Sequence, residues 1–142
     1  MTLTPRYPVY VPSRGRAATP HTIRFLDRDG VPFRVVVEPQ EVDAYAQVCG
    51  HERLLTLPES GQGLVYARNW IRDHAEAEGH AKHWQLDDNI KTLVKMHKGR
   101  RVECDAAGLH RGHERRRHRR VVRDQQAHQL LDVRLADRRA AA

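Results

Sequence analysis

The sequence predicts an α/β protein: an open, mostly parallel sheet with crossover helices, followed by a disordered or irregular basic tail. Three observations predict it. Short apolar runs alternate with longer segments of helical periodicity. The run from Phe33 to Val37 is apolar almost without alternation, the pattern of a strand buried on both faces. From residue 106 this grammar stops: Leu109, Val121 and Val122 are the only large aliphatics between 106 and 129, and no Phe, Tyr or Trp follows Trp84. Residues 1–105 therefore read as one domain and 106–142 as the tail.

The elements follow in order. Residues 7–11, Tyr-Pro-Val-Tyr-Val, read as the first strand, with Pro8 tolerated at its start. Pro12-Ser13-Arg14-Gly15-Arg16 is a loop. Thr19 is expected as an N-cap before Pro20 at the first helical position. That helix buries Ile23, Phe25 and Leu26 and stops at Gly30. The strand from Phe33 to Val37 ends at Glu38-Pro39. Residues 40–48 form a short helix carrying Val42, Tyr45, Ala46 and Val48, with Gly50 behind it. Arg53 to Leu57 is a third short strand, and residues 58–63 are a loop. Residues 64–78 are the clearest helix, with Leu64, Ala67, Ile71 and Ala75 at helical spacing and Gly79 at the end. Residues 82–86 form the fourth strand. There is no internal repeat.

Charge is unevenly spread. The whole chain carries +7, yet the tail alone has ten Arg, no Lys and four acids, a net +6. Residues 1–105 are left with +1, so the basic pI belongs to the tail and does not mark the front as a nucleic-acid surface. Three readings of the tail are open: a basic arm for nucleic acid or an acidic partner, a solvated disordered extension, or the product of a shifted reading frame in a GC-rich gene. No run of about 18 apolar residues predicts a membrane span. The N-terminus lacks a basic region followed by a long apolar stretch, so no secretory signal is expected. Cys49 and Cys104 are far apart without metal spacing and read as reduced thiols. The expected location is the cytoplasm. Nothing in the sequence sets an oligomeric state.

The candidate chemistry sits where strands end. Asp87, Asp88 and Asn89 arrive together after the apolar Trp84 and Leu86. Three such oxygen donors suit a hard divalent cation, Mn²⁺ or Mg²⁺, that keeps waters for a phosphate ligand. They also suit a simple turn. Arg14 and Arg16 beside Gly15 suit a diphosphate, since guanidinium matches phosphate oxygens and Gly lets the backbone approach. They also read as exposed loop arginines. Glu38 suits a base or ribose, or else a helix start favoured by the macrodipole. Arg68-Asn69 lies on the long helix, where an arginine is usually solvated. In open α/β sheets, ligands gather at the carboxyl ends of strands, so the order of these groups strengthens each.

That order resembles glycosyltransferases of the GT-A fold. The residues are Val9-Tyr10-Val11-Pro12-Ser13-Arg14-Gly15-Arg16, Ala67-Arg68-Asn69 and Leu86-Asp87-Asp88-Asn89. More closely, VYVPSRGR, VVVEPQE with Tyr45, LPESGQGLVYARNWI and HWQLDDNI resemble the phage TET-associated glycosyltransferases over about residues 6–105. The resemblance implies the nucleotide-sugar-binding half of a GT-A fold and metal-dependent sugar transfer onto a hydroxymethylated pyrimidine in DNA. It implies nucleotide contacts from Pro12, Ser13, Arg14, Arg16, Glu38, Arg68, Asn69 and Asp87, and metal contacts from Asp87, Asp88 and Asn89. Asn89 stands where the GT-A pattern has a third acid. Nothing in residues 106–142 resembles the acceptor half, so no general base is assigned, the chain is expected to bind nucleotide with negligible sugar transfer of its own, and His110, His113 and His118 read as solvated. Two other readings stay open: a nucleotidyltransferase, and a truncated, non-catalytic binder whose Arg-rich tail contacts nucleic acid.

Overall fold

A computed structural model of the chain describes residues 7–104, 121–123 and 130–132. Four strands, β1 (Val9–Pro12), β2 (Arg34–Val37), β3 (Leu54–Thr56) and β4 (Trp84–Gln85), form one parallel sheet in the order β3-β2-β1-β4. Three helices connect them: α1 (His21–Arg28), α2 (Val42–Cys49) and α3 (Gly63–Ala77). A one-turn 3-10 helix, Pro39–Glu41, leads into α2.

The pleat explains why the strands are apolar on both sides. Val9, Val11, Val35 and Val37 face one way and pack with Ile23, Phe25 and Leu26 of α1 and Tyr45 and Cys49 of α2. Tyr10 and Val36 face the other way and pack with Ala67, Ile71 and Ala75 of α3. Full burial of a side chain such as Leu26 or Ile71 contributes about 1.5–3 kcal/mol. The chain steps from β1 to β2 to β3 under α1 and α2. It then returns across the opposite face through α3 to place β4 beside β1. Reversing the direction of winding while keeping right-handed crossovers requires this change of face.

Two local expectations shift. The residue that caps α1 is Pro20, with ψ 70, rather than Thr19, and no side chain caps the helix. Helical dihedrals therefore begin one residue later, at His21. Leu64 is 53% exposed, whereas Ala67, Ile71 and Ala75 are buried. It sits in the first turn of α3, before the helix reaches the sheet face.

Past β4 lies a hairpin absent from the sequence-derived elements. Strands β5 (Leu93–His97) and β6 (Arg100–Cys104) pair antiparallel, with His97 opposite Arg100. The two connecting residues, Lys98 (φ 48) and Gly99 (φ 77), both have positive φ, as a type I′ turn requires. Leu93 is buried in the core and roots the ribbon. Two short strands, β7 (Val121–Arg123) and β8 (Leu130–Asp132), also pair antiparallel within the segment expected to be irregular. The rest of that expectation, including His110, His113 and His118, lies outside the described residues. Cys49 is a buried free thiol. Among the described residues no helix is long and apolar enough to cross a membrane.

Candidate functional site

Because all four strands are parallel, their carboxyl ends share one edge of the sheet. The direction of winding reverses between β1 and β4, which makes that gap the topological switch point, where open α/β sheets bind ligands. The loops that flank it are Ser13 to Arg16 after β1 and Asp87 to Asn89 after β4.

The β1 loop is held from three sides. Ser13 N–H donates to Val36 O at 3.0 Å, continuing the β1–β2 ladder past Pro12. The Ser13 hydroxyl donates to Asp88 Oδ2 at 2.8 Å and lies 2.6 Å from the Tyr45 hydroxyl. With its own proton directed to Asp88, Ser13 Oγ accepts from Tyr45. Tyr45 Oη in turn accepts the Arg16 N–H at 2.9 Å. The result is an oriented chain from Tyr45 through Ser13 to the Asp88 carboxylate. Burial pushes the Tyr45 hydroxyl pKa above its ordinary value, so it remains a donor at neutral pH. Gly15 N–H donates to Glu41 Oε1, whose partner oxygen Oε2 is buried without a hydrogen bond among the described residues. Gly15 has φ +67, and a Cβ there would meet no protein atom within 4 Å. The positive φ is what demands glycine, and the space beside it is open.

The acidic turn is stapled from α1. The buried Thr22 hydroxyl donates to Asp87 O and accepts Ile90 N–H at 2.9 Å, which fixes the backbone around the three polar residues. Asp87 Oδ1 accepts from Arg68 Nη2 at 2.7 Å, and Asp88 Oδ1 lies 3.1 Å from Arg16 Nε. Both carboxylates are partly exposed. Two atoms remain orphaned: Asn89 Oδ1 and Arg68 Nε are buried without a hydrogen-bond partner among the described residues.

Glu38 stands directly after β2, where its sequence position puts it. Its carboxylate is buried and already occupied: Oε1 accepts Gly61 N–H at 2.9 Å and Oε2 accepts from Gln40 Nε2. The Gly61 N–H, aided by Gln40 and Arg14, holds its pKa below the ordinary carboxylate value. Ser60 donates to Gln40 Oε1, so Glu38 and Gln40 together tie the loop after β3 to the end of β2. Arg14 approaches Glu38 Oε2 at 3.7 Å, but its side chain is 66% exposed and free to reach outward.

The structure thus gathers Ser13, Arg16, Arg68, Asp87, Asp88 and Asn89 at the switch point, while the Arg14 side chain of the same β1 loop reaches toward Glu38 at the end of β2. Asn69 stays apart: it is exposed on α3, about 100° around the helix from Arg68. Tyr45, Thr22 and Glu41 were not singled out as site residues from sequence. Thr22 was detectable as a hydroxyl among the apolar residues of α1, whereas Tyr45 was read as helix core and quoted beside VVVEPQE in the resemblance without a role at the site.

Among the described residues no three His, Cys, Asp or Glu side chains gather as a metal shell. The oxygens on hand are the Asp87 and Asp88 carboxylates and the unpartnered amide oxygen of Asn89. That set is too small to enclose a cation. It fits one that keeps waters and shares a ligand's phosphates, as Mg²⁺ and Mn²⁺ do.

Fold and edge together define an α/β protein with arginine–carboxylate pairs at its switch point. The family model of the TET-Associated Glycosyltransferase matches residues 7–118, and the chain belongs to that family. Comparison with curated proteins and with solved structures gave no match.

Proposed function

We propose that the carboxyl edge is the donor site of a metal-dependent glycosyltransferase of GT-A type, which moves a sugar from a nucleotide sugar onto a hydroxymethylated pyrimidine in DNA. One observation carries this reading. Asp87 and Asp88, neighbours on one turn, are each paired with an arginine from a different element, Arg68 of α3 and Arg16 of the β1 loop. A diphosphate and a divalent cation entering together can exchange with both pairs while charge stays balanced. The arginines turn to phosphate oxygens, for which guanidinium is well shaped. The carboxylates, with Asn89 Oδ1, are left to hold the cation. When bound, that cation would supply Lewis-acid neutralisation of the leaving diphosphate. Arg14, Arg16 and Arg68 stabilise the same developing negative charge. Tyr45 and Ser13 keep Asp88 aligned while Arg16 changes partner.

The test is isothermal titration of uridine diphosphate with and without Mn²⁺. Mn²⁺ strengthens nucleotide binding to the wild type by about tenfold or more. That coupling disappears in Asp87→Asn and in Asp88→Asn. Equal coupling in wild type and both variants removes the donor site from this edge.

A further inference from the structure

We infer that the β5–β6 ribbon is a docking surface for the phosphodiester backbone of duplex DNA. The inference rests on the preceding reading in one respect, the class of acceptor. Its own support is local. Residues 91–104 hold five Lys or Arg against the single acid Glu103. The near-neutral front of the sequence is therefore an average over a slightly acidic body and a strongly basic ribbon.

Six arginines of the body are neutralised by acids, whereas Arg24 and Arg34 are exposed without an ion pair among the described residues, as the ribbon cations are. Arg14, Arg16, Arg28, Arg53, Arg68 and Arg72 each form an ion pair. Lys98, Arg100 and Arg101 are exposed and form none among the described residues. Lys98 also has φ 48, and it alone among the described non-glycine residues has a positive φ. Type I′ turns favour Asn, Asp or Gly at that place, so a lysine gives up conformational ease to put its charge on the tip. Backbone outliers of this kind point towards function.

Cross-strand pairing decides the kind of polyanion. Met96 lies opposite Arg101, and His97 opposite Arg100. Neighbouring pairs along a ribbon point to opposite faces, so Arg101 and Arg100 are on opposite faces with Lys98 at the tip. The exposed apolar residues are split likewise, Met96 sharing a face with Arg101 and Val102 the face of Arg100. No single apolar face exists to lie on a membrane. β7 lies against β5, so the part that can enter a groove is the outer end of the ribbon, where Arg101 and Arg100 stand on opposite faces with Lys98 between them; cations on both faces match a groove with phosphates on both walls, and the major groove admits a ribbon. The ribbon leaves the core at Leu93, four residues past Asn89 in sequence, so it starts from the donor edge.

The experiment uses the full chain and fluorescence anisotropy of a labelled duplex across a NaCl series. The ribbon variant combines Lys98→Gly, Arg100→Gln and Arg101→Gln; glycine suits the turn better than lysine, so the ribbon keeps its shape. Because the tail is also basic, the comparison is repeated with Arg115, Arg116, Arg117, Arg119 and Arg120 changed to Gln. The ribbon variant is expected to make the log affinity against log salt slope shallower by about 2–3 in both backgrounds, near 0.9 per lost phosphate contact. Affinity at about 0.1 M salt then falls by at least about tenfold. An unchanged slope in the tail-neutralised background overturns the inference. So does capture by phosphatidylserine vesicles that the ribbon variant loses while its duplex binding is unchanged. A wild type that binds duplex through the ribbon but no uridine diphosphate upholds this inference and removes the donor-site reading; Mn²⁺-coupled nucleotide binding with no ribbon effect does the reverse.

Discussion

Replacing Tyr45 by Phe removes one oxygen atom and tests how the β1 loop is organised. The Tyr45 side chain is fully buried, and its hydroxyl makes two hydrogen bonds, to Ser13 Oγ at 2.6 Å and from Arg16 N–H at 2.9 Å. The phenylalanine ring fills the same space, so no cavity term arises. Each lost bond is worth about 1 kcal/mol net, and leaving the Arg16 N–H unpaired pushes the total to about 2 kcal/mol, with a span of roughly 1–3. For a chain of this size that lowers the thermal midpoint by about 6–12 °C. Ser13→Ala breaks the same bond from the other side and also the one to Asp88. The double variant should therefore be less destabilised than the sum of the singles, by about 1 kcal/mol. Differential scanning fluorimetry gives the midpoints, and urea titration gives the free energies for the cycle. The folded hydroxyl pKa is raised, so its contribution is complete at neutral pH and lost only as pH rises above the ordinary tyrosine value of 10.0. A Tyr45→Phe chain as stable as wild type, or strict additivity with Ser13→Ala, would refute the oriented chain from Tyr45 to Asp88.

His83 and Glu38 give the remaining predictions. His83 is buried against the edge of Tyr10, and burial, followed by the charges of His80 and Arg72, lowers its pKa below 6.5. Gln85 Nε2 donates to Arg68 O and to His83 Nε2, which requires the imidazole to be neutral. Since the unfolded chain takes up the proton that the fold refuses, stability is full above pH 6.5 and falls below it, by up to about 1.4 kcal/mol per pH unit. His83→Gln flattens that slope in urea titrations between pH 7 and 5; an identical slope in the variant would show that His83 is not its source. Glu38→Ala releases Gly61 N–H, and hydrogen exchange at that amide quickens by about tenfold or more. Unchanged protection there would mean that Glu38 does not anchor the loop after β3.

Much of the fold was legible because its signals are local. Val35, Val36 and Val37 mark a strand covered on both faces, and helices lie on both faces. The spacing of Ala67, Ile71 and Ala75 marks the face α3 buries, although Leu64 at the same spacing is exposed. The ribbon was missed for a physical reason. Lys-Met-His-Lys-Gly-Arg-Arg has neither strand alternation nor a favoured turn residue at Lys98, and solvated charge looks the same whether the backbone is paired or not. Glu38 was correctly placed at the end of a strand, but its saturation by Gly61 and Gln40 depends on a loop that begins twenty residues later.

By itself, the sequence determined which side chains stand at strand ends: Arg14 and Arg16, Glu38, and Asp87 to Asn89. Strand ends follow from where apolar burial stops and turn chemistry begins, and both are written in a few consecutive residues. Only the tertiary structure decided which of those ends are neighbours. Local periodicity is equally compatible with β4 beside β3 or beside β1. The return of α3 over the free face of the sheet places β4 against β1 and brings Ser13 within 2.8 Å of Asp88, 75 residues away. That pairing reflects which sheet edge was open and which face still needed covering. These are properties of the assembled layers, and they turn three scattered polar strand ends into one charge-balanced edge.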